Sequence, residues 1–293
     1  MDVVVRKLTD ADVDQARQVQ AEAFAGHDRK WGEPVAEVTP VVAERQRRRV
    51  RHFLANDPDG SWVAELDGAV VGLALALRRD RLWGLSMFAV DPAHQSLGIG
   101  RQLIDAALGY ARPDDVAVIL STRDPRAMRR YAAARFDLHP QIRAVGRVDR
   151  SRLPSLGRRV REGGPDDFAV ADAVDVVVRG APRGPDHPLL AELYPPMFVV
   201  DDAAGRGYAY PYFDGGVHAL AATDEATATD LLWRCIAHDV ERGVDSGVDH
   251  VNAAQQWAVR VIVAAGLTMQ PAGPVFWRGR MPPAAYLPSG PYL

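Results

Sequence analysis

Apolar and polar positions along this chain change rhythm in a regular way. Residues 3–6 form a short β-branched run, and Thr9 followed three residues later by Asp12 has the form of a capping box with a short acid in place of Glu. The helix opened by that box carries Val13, Ala16, Val19 and Ala23 on one apolar face, and Gly26 is expected to interrupt it. Residues 27–40 read as a loop and 41–54 as a second helix. Its Arg45, Arg47, Arg48, Arg49 and Arg51 are taken first as a solvated face and second as an anion site. Residues 61–66 and 69–77 are β-rich and joined by Asp67-Gly68, a dipeptide able to reach the two positive φ values of a type I′ hairpin turn. Residues 82–90 extend the meander until Asp91-Pro92, where proline removes a ladder donor. Leu103, Ile104, Ala107, Leu108 and Ala111 then make a helical stripe, 116–120 a buried strand and 125–134 another helix.

The pattern then begins again. Val160-Arg161, Asp167-Phe168 and Ala171 repeat Val5-Arg6, Asp12-Val13 and Ala16 at an offset of 155 residues. Farther on, V-N-A-A-Q-Q-W-A-V-R-V-I-V-A-A-G-L repeats an earlier stretch at an offset of 131, so that Ala258 answers to Ala127, Gly266 to Arg135 and Leu267 to Phe136. The smaller offset implies a second copy shortened in its middle, around the counterpart of the first copy's second helix. Residues 197–201, 207–213 and 217–223 supply that copy's meander. The expectation is an α+β chain of two tandem folds, each a mixed, mostly antiparallel central sheet flanked by helices. The domains run over 1–156 and 157–280, and a tail over 281–293 is too proline-rich for a helix. That tail either lies as an arm against a neighbour or places its end in a cleft. A length of 293 residues suits two hydrophobic cores.

Composition removes several function classes. Hydrophobic residues at 47% and charged residues at 25% are ordinary for a globular chain. Net charge is −3, from 35 basic and 38 acidic residues, so no global positive field draws nucleic acid or an anionic membrane, and neither is expected as a partner. Cys235 is the single cysteine and has no disulfide mate; Met1 leads into VVVRKL rather than a signal-peptide core, and no window approaches the ~18 apolar residues of a membrane span. A reducing cytoplasm is the expected compartment. His187, His218, His238 and His250 lack metal-ligand spacing, so no metal is expected. Trp233 and Trp257 fit helix cores. The aromatic stretches at Tyr194-Pro195-Pro196 and 208–213 read first as inter-domain packing and second as the wall of a substrate pocket between the domains.

The chemistry concentrates in Gln95-Ser96-Leu97-Gly98-Ile99-Gly100, between a strand and a helix. Glycines at such a junction let backbone N–H groups approach an anion, because no Cβ intervenes and the helix N-terminus adds partial positive charge. The surrounding D-P-A-H-Q-S-L-G-I-G-R-Q-L-I resembles the acetyl-CoA-binding motif of the GNAT acyltransferase superfamily, Q/R-x-x-G-x-G/A, with Gln95, Gly98 and Gly100 matching. About 30 residues on, D-P-R-A-M-R-R-Y-A-A-A-R-F is similar to that family's second motif, N-x-x-A-x-x-x-Y-x-x-x-G-F. Asp124, Ala127, Tyr131 and Phe136 stand in register there, with Asp replacing Asn and Arg135 replacing Gly.

The resemblance implies two tandem GNAT folds and acetyl-CoA as acyl donor. Phe88-Ala89-Val90 would pair with the pantetheine arm, and Gln95, Ser96, Leu97, Gly98, Ile99, Gly100 and Arg101 would cradle the pyrophosphate. Asp124 would complete the cofactor set, and Tyr131 would be the general acid that protonates the departing thiolate. The family's usual strand carboxylate is missing from residues 82–88, and Glu65, His27, Asp28, Glu33, a water chain or no base at all stay open. In the second copy no glycine falls between Val217 and Arg242, and Ile262 stands where Tyr131 would be, so that copy is expected to hold no cofactor. Tandem mycothiol synthases are similar in layout. The implied activity is transfer of acetyl to the amine of a small molecule, directly in a ternary complex, because the only thiol lies outside the first copy. An acyl-CoA sensor is the rival, a homodimer is left open, and an aminoacyl-tRNA-dependent peptidyl transferase conflicts with the intact cradle and the acidic charge.

Overall fold

The computed structural model describes residues 3–155, 157 and 159–293, so the expected boundary at Leu156 lies outside the described residues. In chain order the elements are β1 (Val4–Lys7), α1 (Val13–Trp31), α2 (Pro40–Asn56), β2 (Ser61–Leu66), β3 (Ala69–Arg79), β4 (Leu82–Val90), α3 (Ile99–Leu108), β5 (Val116–Leu120), α4 (Pro125–Ala133) and β6 (Asp137–Gly146). The order then restarts with β7 (Arg161–Gly163), α5 (Phe168–Arg179), α6 (Asp186–Leu193), β8 (Met197–Asp202), β9 (Gly205–Pro211), β10 (Val217–Ala222), α7 (Glu225–Arg242), β11 (Ser246–Val251), α8 (Gln256–Ala265), β12 (Thr268–Arg278) and β13 (Tyr286–Leu287). Among the described residues no helix is long and apolar enough to cross a membrane.

One compact unit runs to Arg78 and resumes over Trp83–Ala117. Its strands lie in the order β1-β2-β3-β4, with β1, β2 and β3 antiparallel and the Asp67-Gly68 turn at φ +52° and +82°. The expected stop at Gly26 is corrected: α1 continues to Trp31 and ends at Gly32, φ +68°. Gly26 serves close approach instead, since a Cβ there would lie 3.1 Å from the Pro92 ring. The loop expected from residue 27 therefore begins only after α1. α2 starts on Pro40 with the Thr39 hydroxyl accepting from the Val42 N–H, the usual pairing of an N-cap with a proline at N1.

The second unit comprises Arg79–Leu82 and Val118–Leu293. The repeat read from the sequence recurs here as geometry. In the first copy Arg6 grips Asp12 with two bonds of 2.7 and 2.8 Å, and 155 residues later Arg161 grips Asp167 through the same pair of nitrogens. At the offset of 131, Arg135 and Gly266 both adopt the left-handed conformation, at φ +64° and +77°. The second copy is short in its middle as expected, with 12 residues in α5 and 8 in α6 against 19 and 17 in α1 and α2.

Strand order in this unit is β5-β12-β6-β11-β10-β9-β8-β7, with β13 also on β10. The two copies have exchanged their sixth strands. β12 of the second copy stands beside β5 of the first, and β6 of the first stands beside β11 of the second. β12 and β6 run antiparallel, and the pair Gln141↔Ala272 joins residues that correspond under the 131 offset. A local two-fold therefore passes through that pair.

Arg135 is the place where the repeat predicts a stability gain. An L side chain in the left-handed region costs about 1–2 kcal/mol, while glycine gives back part of that through the entropy of the unfolded chain. Arg135→Gly is expected to raise the unfolding free energy by roughly 0.5–1 kcal/mol, checked by urea denaturation.

Asp239, on α7, supplies a pH prediction. Its carboxylate accepts from the Gly216 N–H at 2.8 Å and the Ser246 hydroxyl at 2.9 Å, yet burial pushes its pKa up to about 6 from 3.8. A folded pKa above the unfolded one means the native state binds the extra proton between those values. The associated stability is full below about pH 4 and is lost as pH rises through about 6. Asp239→Asn should therefore gain on the original chain between those limits, by on the order of 2 kcal/mol, with melting curves across the range as the check.

The second unit also buries a charged cluster that residue spacing did not announce. Arg183 donates to the Tyr208 hydroxyl, the Tyr286 hydroxyl and the Tyr292 carbonyl at 2.8, 2.9 and 2.7 Å, and Tyr208 donates to Asp175 at 2.7 Å. Burial alone would raise the Asp175 pKa, but the charges of Arg183 and Arg179 hold it below the usual value. Asp172, Asp175 and His187 bring ligand-type atoms within 4.8 Å of one another. Arg183 and Arg179, 3.5 and 3.8 Å from Asp175, already provide the positive charge there. Of the two aromatic stretches, Tyr208 and Tyr210 are core residues of the second unit and Tyr194 stacks on His218 of the same unit at 3.7 Å, which is packing within one unit and corrects the inter-domain expectation.

Candidate functional site

The cradle loop joins β4 to α3 within the first unit. Asp91 turns the chain after β4 by accepting from the Ala93 N–H at 2.8 Å, and the Gln95 amide reaches back to the Val90 carbonyl at 3.2 Å. Ser96 and Gly98 then take φ +69° and +82°, a conformation that aims successive backbone N–H groups to one side. Nothing lies within 4 Å of where a Gly98 Cβ would stand, so the space before the helix is open. A Cβ on Gly100 would sit 3.3 Å from the Phe88 ring, so glycine lets α3 settle onto the end of β4.

α3 begins with no side chain capping its first N–H groups. That leaves the positive end of a ten-residue helix facing the loop, the arrangement that attracts an anion. Arg101 is largely exposed, 3.8 Å from Asp105, and Leu97 is exposed at the loop tip. Phe88 and Val90 are half-buried and Ala89 is buried. The fold thus brings the cofactor set predicted for residues 88–101 onto one strand–loop–helix junction.

The corresponding junction of the second copy is built against an anion. β10 passes to α7 through Thr223 and Asp224 alone, and Asp224 caps the helix by accepting from the Thr227 N–H at 2.8 Å and its hydroxyl at 2.7 Å. A carboxylate therefore stands at that helix N-terminus. The missing glycines were legible in the sequence; the capping acid was not singled out, although Asp followed by Thr three residues on is a readable cap signal.

Tyr131 and Asp124 stand on α4, in the second unit. Asp124 caps α4 through the Arg126 N–H at 2.9 Å and pairs with the Arg126 guanidinium at 2.7 Å. Tyr131 is 4% exposed and meets the Phe276 ring edge-on at 5.4 Å. Burial pushes the phenol pKa well above its ordinary value of 10.0, so the hydroxyl keeps its proton at neutral pH. Phe276 comes from β12, a contribution of the second copy that no local pattern had indicated. Of the open base positions, Glu65 is tied to Arg6 at 2.8 Å. His27 lies on α1 with Nδ1 3.3 Å from Asp28, and its Nε2 is buried without a protein hydrogen-bond partner.

The strand meander and the glycine turn on an uncapped helix make a strand–loop–helix junction suited to an anion. Residues 27–136 match the family model of the GNAT acetyltransferases. It is similar to the mycothiol acetyltransferase of Clavibacter michiganensis, 28% identical over 206 residues, which are 69% of this chain and 64% of that protein, a little under two thirds of its length. Among solved structures, a Pyrococcus horikoshii protein superposes with TM-score 0.74 at 16% identity, covering 99% of this chain and 95% of its own. A tandem GNAT protein from the clavulanic acid biosynthesis pathway superposes with TM-score 0.60 at 15% identity over 94% and 98%. These likenesses show two GNAT folds in tandem.

Proposed function

We propose that this chain is an acetyl-CoA-dependent N-acetyltransferase that acts on the amine of a small molecule by direct transfer. In this reading residues 1–156 are the cofactor-binding catalytic domain, 157–280 a second GNAT fold without cofactor, and 281–293 a C-terminal segment that packs onto that second fold. The observation that carries it is the contrast between the two junctions: the N-terminus of α3 has no side-chain cap, and that of α7 is filled by Asp224. Acetyl-CoA is the donor substrate. Its pyrophosphate takes the N–H groups of residues 97–101 and its pantetheine lies along Phe88-Ala89-Val90. The acceptor nitrogen attacks the thioester carbonyl, the C–S bond breaks, and the thiolate takes the proton of the Tyr131 hydroxyl. His27 Nε2 supplies an acceptor for the proton that the amine loses.

Support for the donor comes from the family match and the open cradle, and for an amine acceptor from the acetyltransferase relatives. The test is release of free CoA thiol from acetyl-CoA with a panel of small amines, alongside calorimetry of CoA binding. Thiol release that depends on one class of amine supports the reading. The missing carboxylate on β4 favours a second reading, an acyl-CoA sensor, and tight binding of acetyl-CoA with no thiol release from any amine would select it.

A further inference from the structure

The segment after β12 lies in the groove that, in the second copy, corresponds to the cofactor groove of the first. β10 and β11 run parallel but pair only at Val217↔Val248, and beyond that point the edge of β10 belongs to β13. The pairs are Leu220↔Leu287 and Ala221↔Tyr286, followed by the Ala222 N–H donating to the Ala285 carbonyl at 3.0 Å. Counted back from the strand ends, Leu220, Ala221 and Ala222 are the counterparts of Phe88, Ala89 and Val90, the residues assigned to pantetheine. A pantetheine arm and an extended peptide present the same chemistry to such an edge, amide N–H and C=O groups spaced along a thin chain.

The segment is held at both ends and along its length. Gln255 donates to the Pro283 carbonyl at 2.6 Å and Trp257 to the Ala284 carbonyl at 2.8 Å. The Ser289 hydroxyl lies 3.0 Å from His218 Nε2 and accepts from the Tyr292 N–H at 3.2 Å. Arg183, fully buried, bonds both the Tyr286 hydroxyl and the Tyr292 carbonyl. Tyr286, Leu287, Ser289, Tyr292 and Leu293 are each at most 2% exposed. This is the burial of a core element, in a stretch whose sequence, M-P-P-A-A-Y-L-P-S-G-P-Y-L, has no pattern of its own to fold by.

We propose that the second copy's groove is a peptide-binding site whose occupant is this chain's own segment 282–293, bound by strand addition in place of a cofactor. Main-chain pairing to β10 supplies affinity, and the Arg183 contacts to Tyr286 and Tyr292 fix the register. The segment excludes a second acyl-CoA and completes the core against which α5 and α7 pack. This inference rests on the second half being a GNAT fold and does not depend on the first copy's activity.

The test uses a chain ending at Met281 and a synthetic peptide of residues 282–293. The shortened chain should melt at least about 5 °C below the full chain, and the free peptide should restore the difference. A peptide carrying Leu287→Pro should not, since proline removes a donor at a hydrogen-bonded pair position. An unchanged melting point, or a loss that the peptide does not restore, overturns the proposal. If the shortened chain fails to fold, full-length Leu287→Pro and Tyr286→Phe decide: the proline variant should melt well below the phenylalanine one, and equal melting overturns the proposal. The full chain should bind a single equivalent of acetyl-CoA; a second equivalent would also overturn it, whereas no binding at all counts against the proposed function alone.

Discussion

Tyr131→Phe should lower kcat by on the order of 10²-fold or more while acetyl-CoA affinity and the melting temperature stay close to those of the original chain. The substitution removes one hydroxyl and keeps the ring that packs edge-on against Phe276 at 5.4 Å. What is lost is a phenol whose burial holds its proton through the neutral range. A thiolate leaving without that proton leaves uphill, and a factor of 10² corresponds to about 2.7 kcal/mol of barrier. Because Tyr131 stays neutral far into alkali, any alkaline limb of the rate profile must belong to another group. Steady-state kinetics with the best amine of the panel would check this, and a kcat within threefold of the original would remove the assigned role.

The largest stability effect is expected at Gly273. β12 shifts register between Ala272 and Val275, and at that irregularity its backbone passes the end of β5. A Cβ on Gly273 would stand 1.9 Å from the Ser121 carbonyl oxygen and 2.7 Å from the Thr122 carbonyl carbon. Both are main-chain atoms, and the Ser121 N–H donates to the Pro274 carbonyl at 3.0 Å. Neither can move as a side-chain tip would. Gly273→Ala should therefore cost about 3 kcal/mol or more. Gly164→Ala, where nothing lies within 4 Å of the added carbon, should change stability by less than about 0.5 kcal/mol. Urea denaturation of the two variants side by side checks the contrast, and equal losses would mean that the two strands do not approach so closely.

Legibility differed from element to element for identifiable reasons. Strands β4 and β5 fall where the apolar runs put them, because each run is bounded by a turn dipeptide or a proline and has only one period that fits. The second copy was visible because Asp167 and Gly266 do the same local work as Asp12 and Arg135, capping one element and turning the end of another. Gly26 misled, because a glycine that permits close packing and a glycine that ends a helix look alike until the neighbour, here Pro92, is known. Phe276 beside Tyr131 and the contacts of Arg183 to Tyr286 and Tyr292 were not legible at all, since each joins residues more than a hundred positions apart.

The sequence by itself determined the repeated element order, the open glycine turn before α3 and its absence before α7. These are matters of local backbone conformation, which side chains within a few residues decide. Tertiary structure alone decided how the strands outside the two meanders pair. The exchange of β6 and β12, and the seating of Tyr286 and Leu287 on the edge of β10, follow from backbone hydrogen bonds, and those bonds carry no record of the residue that makes them.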